Sequence, residues 1–152
     1  MPHEVELPRF GNLTYADDDV IEFPWGIPGF AHHRRFLVLT LEAQEPYLWL
    51  QSLDDPGIAL PIVNPWDIFP DYKPSLPYYA RVALELDNPG DFVIYCVVVC
   101  TAGAEELTMN LLAPIVINLK QRRARQVMLE SSAYAVRQPI PRMAAPKEAL
   151  RS

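Results

Sequence analysis

The apolar positions of this 152-residue chain fall into short runs, bounded again and again by Pro, Gly, Asn or Asp. That punctuation predicts strands and turns rather than long helices. The pattern centres on Leu107 to Leu129. Within it, the apolar run Leu111 to Leu119 is broken by Pro114 and is too short to span a bilayer. Ile115-Val116-Ile117 marks a buried or half-buried strand, with Asn110 and Asn118 as hydrogen-bonding residues at its ends. Pro114 has no N–H to give a ladder, so an edge or a bulge is expected there. Lys120 to Arg125 is a polar connector, and Val127-Met128-Leu129 returns from it. The whole stretch predicts a long antiparallel hairpin with a cationic tip, which must pack on other strands to be stable.

The rest of the chain supplies candidates. Val5 to Leu7 and Leu13 to Tyr15 flank Gly11-Asn12 as short strands, and Val20 to Phe23 is another. Two Pro and two Gly between Pro24 and Phe30 force a compact turn whose Trp25, Ile27 and Phe30 plug one end of the core. Arg35 to Leu41 and Tyr47 to Leu53 are expected to pair antiparallel through a turn at Glu45-Pro46. Asp54-Asp55-Pro56-Gly57 is a turn, and Ile58 to Val63 follows as a strand that Pro61 assigns to an edge or a bulge. Ser75 to Leu86 is the best helix candidate. Ser75 is its cap, Pro77 lies in its first turn, and Tyr78, Val82 and Leu86 lie on one face. Phe92 to Thr101 is almost wholly apolar and predicts a central strand covered on both faces. Gly103 to Glu106 is a polar turn, and Ser132 to Gln138 adds a strand or turn.

Composition narrows the class. Half the residues are apolar, which suits a packed domain, and 16 scattered prolines suit turns rather than helices. The expected fold is mainly β: a small antiparallel β-barrel or β-roll-like single domain with one short helix. Residues 1–138 form the domain, and the Pro- and Ala-rich residues 139–152 form a C-terminal tail expected to fray. Cys96 and Cys100 share a strand face about 13 Å apart, too far for a disulfide. They are expected as buried thiols in a reducing compartment. No secretory signal opens the chain, and a cytoplasmic location is expected.

Charge is uneven. Residues 1–118 hold 17 acidic and 5 basic side chains; residues 119–152 hold 2 acidic and 8 basic. An acidic body attracts a basic partner and repels nucleic acid. No Gly-x-Ser-x-Gly, His-Glu-x-x-His, Cys-x-x-Cys or phosphate-loop pattern is present. Asp17-Asp18-Asp19 points its carboxylates apart, and His32 and His33 have no ligand partner at useful spacing, so both are expected as surface groups. No catalytic residue, metal or cofactor is expected. Asn64 to Tyr72 puts Trp66, Ile68, Phe69 and Tyr72 in an irregular loop. These rings either fold back as a lid on the core or stand out as binding anchors.

Four stretches, in order, resemble the family of the flagellar assembly factor FliW. They are Ile21-Glu-Phe-Pro-Trp-Gly-Ile-Pro-Gly-Phe30, Leu48-Trp-Leu-Gln-Ser-Leu-Asp-Asp-Pro56, Pro65 through Phe69-Pro-Asp-Tyr72, and Asn110-Leu-Leu-Ala-Pro-Ile-Val-Ile-Asn118 followed by Arg125 to Leu129. The resemblance runs from about Leu13 to Gln138. It implies a small β-barrel-like domain, no catalysis, and two protein partners: flagellin and CsrA, a basic dimer that represses flagellin mRNA translation. A free factor antagonises CsrA; flagellin, once abundant, occupies the factor and releases CsrA.

The motifs label no contact residue, but the chemistry suggests some. Trp66, Phe69 and Tyr72 are candidate apolar contacts for an amphipathic flagellin helix. Asp54, Asp55, Asp67 and Asp71 are candidate acidic contacts for a protein that must attract RNA and is therefore positive. The alternative is direct RNA contact through Lys120, Arg122, Arg123 and Arg125. The acidic body, and a tip without an aromatic residue for base stacking, count against it. Neither nucleic acid nor a membrane is an expected partner.

Overall fold

The computed structural model describes residues 2–101, 106–131 and 133–141. In chain order these form β1 (Pro2–Leu7), β2 (Gly11–Ala16), β3 (Ile21–Glu22), β4 (Arg35–Thr40), β5 (Tyr47–Ser52), β6 (Ala59–Val63), α1 (Tyr78–Ala83), β7 (Phe92–Thr101), β8 (Glu106–Met109), β9 (Ile115–Asn118), β10 (Arg123–Gln126) and β11 (Gln138–Pro139). Residues 103–105 of the expected turn and most of the expected tail, residues 142–152, lie outside the described residues, while Glu106 already belongs to β8.

Seven strands close on themselves in the order β7, β6, β5, β4, β3, β10, β9 and back to β7. Six of the seven joints are antiparallel. The seventh, β3 with β10, is parallel and consists of the single pair Glu22 and Arg123. There the Glu22 N–H donates to the Arg122 carbonyl at 2.8 Å. β7 is long enough to serve three neighbours: Phe92 to Tyr95 pair with β9, Cys96 and Val97 with β6, and Val98 to Thr101 with β8. β11 extends the sheet beyond β8, and β1 with β2 forms a separate hairpin.

Alternation along the strands sorts side chains into the ring and out of it. Ile21, Phe23, Ile27, Phe36, Leu50, Ile62, Ile115, Ile117 and Ala124 are buried together. Val93, Tyr95 and Val97 of β7 pack against them. Since every ring strand contributes, this cluster is the barrel interior. The opposite faces carry two outer cores. Ile94 and Val116 meet Ala80 of α1 and Leu84, which caps its C-terminal end. Tyr47, Trp49, Val63, Cys96 and Val98 meet Tyr72, Leu107, Met109, Leu111, Leu129 and Ile140. Cys96 and Cys100 pack into this second outer core from one strand face, both as free thiols. Burial pushes the Cys96 thiol up to about 12, with its side-chain contact to the Tyr72 hydroxyl pulling the other way.

Several expectations need correction. The hairpin exists, but its return strand is Arg123–Gln126 rather than 127–129, so Arg123 and Arg125 stand on a strand and not at the tip. Pro114 precedes β9 rather than interrupting it; its carbonyl accepts from Val127 N–H at 2.8 Å. Pro61 lies in a strand with neighbours on both sides, yet β7 pairs only with Ile62 and Val63, so its missing N–H falls where no ladder is required. The helix starts at Tyr78 with Pro77, not Ser75, as its cap. Pro77 holds itself and biases Leu76 to extended backbone, delaying the first turn. Its buried face is Ala80 and Leu84, whereas Tyr78 and Val82 are exposed. Small Ala80 lets the helix lie close on β7 and β9. Ile140 is buried and bonds to the Leu107 carbonyl, so the packed chain reaches past Gln138.

Asn118 ties the ring to the helix. It is buried, donates from Nδ2 to the Leu84 carbonyl at 2.7 Å, and accepts from the Lys120 and Gln121 amides at 2.9 and 3.0 Å. Replacing Asn118 with Ala leaves three backbone groups without these bonds and is expected to cost about 3 kcal/mol in urea unfolding. A loss under about 0.5 kcal/mol, the size of an ordinary surface change, would contradict this role.

Candidate functional site

The loop after β6 is built by its polar residues. Asn64 Oδ1 accepts from the Trp66 amide at 3.0 Å and starts a single 3-10 turn, Pro65–Asp67. The Phe69 amide returns to the Pro65 carbonyl, and the Tyr72 amide to the Phe69 carbonyl. This winding turns Phe69 and Ile68 onto the outer core, half-buried. Tyr72 goes deeper, 4% exposed, and its hydroxyl donates to the Leu111 carbonyl at 2.6 Å. Burial, with Cys96 and Tyr134 beside it, pushes the Tyr72 hydroxyl well above the ordinary phenol range. The Tyr134 ring stands edge-on to Tyr72 at 4.7 Å, and its hydroxyl accepts from the Lys73 amide.

Trp66 is different. Its indole N–H donates to the Tyr72 carbonyl at 2.8 Å, and its ring tilts against Tyr72 at 5.7 Å. Yet 38% of the residue remains exposed. It is a held ring with an open face. Beside it opens a cleft of about 700 Å³, whose lining includes the apolar Leu76, Phe92 and Ile94 and the cations Lys73 and Arg81. Asp67 and Asp71 are exposed on the same loop. Both meanings of the aromatic cluster are thus present: Tyr72 and Phe69 serve as a lid, and Trp66 stands at the surface. The cleft edge, Lys73 and Arg81, escaped sequence reasoning. Single cations in a polar segment carry no periodic signal, and only the fold brings them to the Trp66 loop.

Asp54 and Asp55 serve a separate turn. Asp54 Oδ2 accepts from the Arg34 and Arg35 amides at 2.6 and 3.0 Å, and Oδ1 lies 3.6 Å from the Arg35 guanidinium. Asp55 Oδ1 accepts from the Gly57 amide. Ser52, buried below them, accepts from both Asp amides, and its Oγ lies 3.0 Å from His33 Nδ1. The half-buried His33 is therefore part of the turn's packing, correcting its expected place as a surface histidine. Gln51 Nε2 binds three carbonyls of the same turn. Among the described residues, Asp54 and Asp55 share no hydrogen bond or ring contact with the Trp66 loop. No group of three or more His, Cys, Asp or Glu there can hold a metal ion. No helix there is long and apolar enough to cross a membrane.

A family model described as FliW protein matches residues 4–140. The flagellar assembly factor FliW of Pseudothermotoga lettingae is 40% identical over 130 residues, 85% of this chain and 83% of that one. The protein of the same name from Caldanaerobacter subterraneus is 36% identical over 138 residues, 90% of this chain and 92% of that one. A crystal structure of the flagellar assembly factor FliW superposes with a TM-score of 0.82 at 28% identity, covering 90% of this chain and 96% of that one.

Partial burial raises the Asp54 carboxyl, but the two amide bonds and the Arg35 charge outweigh it and hold it below the ordinary range. A carboxyl lowered by folding stabilises above its unfolded pKa, about 3.9, and loses that contribution as pH falls through the folded value. Asp54→Asn should therefore lower the urea midpoint equally at pH 7 and pH 5, the gap narrowing only below about pH 4. A gap that closes between pH 7 and pH 5 would assign the dependence to another group.

Proposed function

The chain belongs to the FliW family of flagellar assembly factors, and from that premise we propose that it acts by holding proteins in the cytoplasm and catalyses nothing. Its two partners are flagellin and the translational repressor CsrA. Flagellin occupies the factor when abundant; a factor free of flagellin antagonises CsrA, so flagellin synthesis follows flagellin export.

The observation that carries this reading is the half-open Trp66 beside the cleft. An indole held by its N–H and still partly exposed, beside a cleft that Leu76, Phe92 and Ile94 help to line, has the chemistry of a binding anchor. An amphipathic flagellin segment fits it: apolar side chains enter along Leu76 and Phe92, and acidic ones meet Lys73 and Arg81. For CsrA, the exposed carboxylates Asp67 and Asp71 are better candidates than Asp54 and Asp55, because Asp54 is spent on backbone amides. An acidic surface speeds encounter with a basic partner, an effect that salt weakens.

Competition is the test. Flagellin added to a purified complex of this chain with CsrA should displace CsrA; a chain that binds neither protein overturns the proposal. Charge reversal at Asp67 and Asp71 together should slow CsrA association about tenfold at low salt, with a much smaller effect at high salt. An unchanged rate removes this loop from the CsrA surface.

A further inference from the structure

A second surface of opposite character lies on β10. Arg123 and Arg125 alternate outward there while Ala124 points into the barrel. The fold sets two distant rings against them. Trp25, in the turn after β3, is 45% exposed, and Tyr79 of α1 is 44% exposed. The Arg125 guanidinium lies 4.7 Å from the Trp25 ring centre and 5.0 Å from that of Tyr79. Arg123 lies 5.7 Å from Trp25.

Aromatic faces hold guanidinium groups by their planes, leaving the N–H donors at the edges unused. Among the described residues neither the Arg123 nor the Arg125 guanidinium forms a hydrogen bond or an ion pair. The other cations of this hairpin are engaged: Lys120 lies 3.5 Å from Asp91, and Arg122 donates to the Asp19 carbonyl. On a chain of net charge −6, two oriented forks without an anion are a concentrated exception. None of the four residues lines the Trp66 cleft.

We propose that Trp25, Tyr79, Arg123 and Arg125 form a docking surface for an acidic peptide segment, its carboxylates taken by the arginine forks and its apolar side chains lying on the two rings. Charge complementarity selects the anion, and the planar fork favours a carboxylate bound through two N–H groups. The extent of the patch selects a peptide over RNA. A polynucleotide needs a continuous cationic track, whereas this one ends at two engaged cations on an acidic body. The surface is independent of which proteins occupy the Trp66 loop.

The test uses the full chain and a fluorescein-labelled synthetic peptide of Glu-Glu-Leu repeats, with an oligouridine of equal length and a Lys-Lys-Leu peptide beside it. At low ionic strength the acidic peptide should bind saturably by anisotropy, and the two other probes should bind more weakly. Arg125→Gln and Arg123→Gln should each weaken it about tenfold, the loss of one charge-assisted contact. Trp25→Ala should weaken it while the melting transition of the chain stays cooperative. Arg123, the farther from the rings, keeps the test valid if the Arg125 variant is perturbed in folding. Oligouridine bound more tightly than the acidic peptide, no saturable peptide binding, or an affinity untouched by Arg123→Gln overturns the proposal.

Discussion

Closure of the seven-strand ring is the constraint on which the rest of the molecule depends. An open sheet of this size presents two rows of unpaired backbone groups. Here β9 turns back through β10 and also pairs with the first half of β7, so each strand of the ring has a partner on both sides over at least part of its length. The seam is narrow. β3 offers two residues and meets β10 through one parallel pair. What makes so short a joint sufficient is packing across it: Ile21 and Phe23 beside β3, and Ala124 of β10, belong to one buried interior. Backbone closure and interior packing are therefore a single requirement.

A closed barrel leaves its outer face to be covered, and the cover is where chemistry gathers. α1 lies over one part of the outer face, fastened by Asn118 to the Leu84 carbonyl. The loop of Trp66, Phe69 and Tyr72 lies over another, fastened by Tyr72 to Leu111. Each cover buries one side and presents the other. That is why an exposed ring appears beside each: Trp66 over the cleft, and Tyr79 against Arg125. The same architecture separates an acidic loop, Asp67 and Asp71, from a cationic strand, Arg123 and Arg125. Two surfaces of opposite sign on one small scaffold suit the proposed role of holding other proteins.

Much of the barrel was legible in the chain itself. Phe92 to Thr101 reads as central because it is apolar at both parities, and it meets partners on both edges and cores on both faces as far as Val98, beyond which Val99 is exposed. Asn110 and Asn118 read as strand-end hydrogen bonders, and each accepts from two amides just beyond it. What was not legible depended on distance in sequence. The spacing of Tyr78, Val82 and Leu86 suggested a helix face but could not say that small Ala80 would win the contact with Val116. Asp54 looked like surface charge because its partners, the amides of Arg34 and Arg35, have no sequence signature. Residues 120–125 hold no aromatic side chain, and only the fold sets Trp25 and Tyr79, from far along the chain, against the strand residues Arg123 and Arg125.

Amide hydrogen exchange, with flagellin absent and then bound, tests most directly the claim that a rigid closed ring carries partners on its outer cover. The free chain should show slow exchange through β5, β7 and β9, where barrel closure protects the ladder. Bound flagellin should slow exchange within residues 64–77 and leave the ring strands as they were. Broad new protection across β3, β4 and β10 would mean that the ring itself forms only on binding, and would contradict the claim.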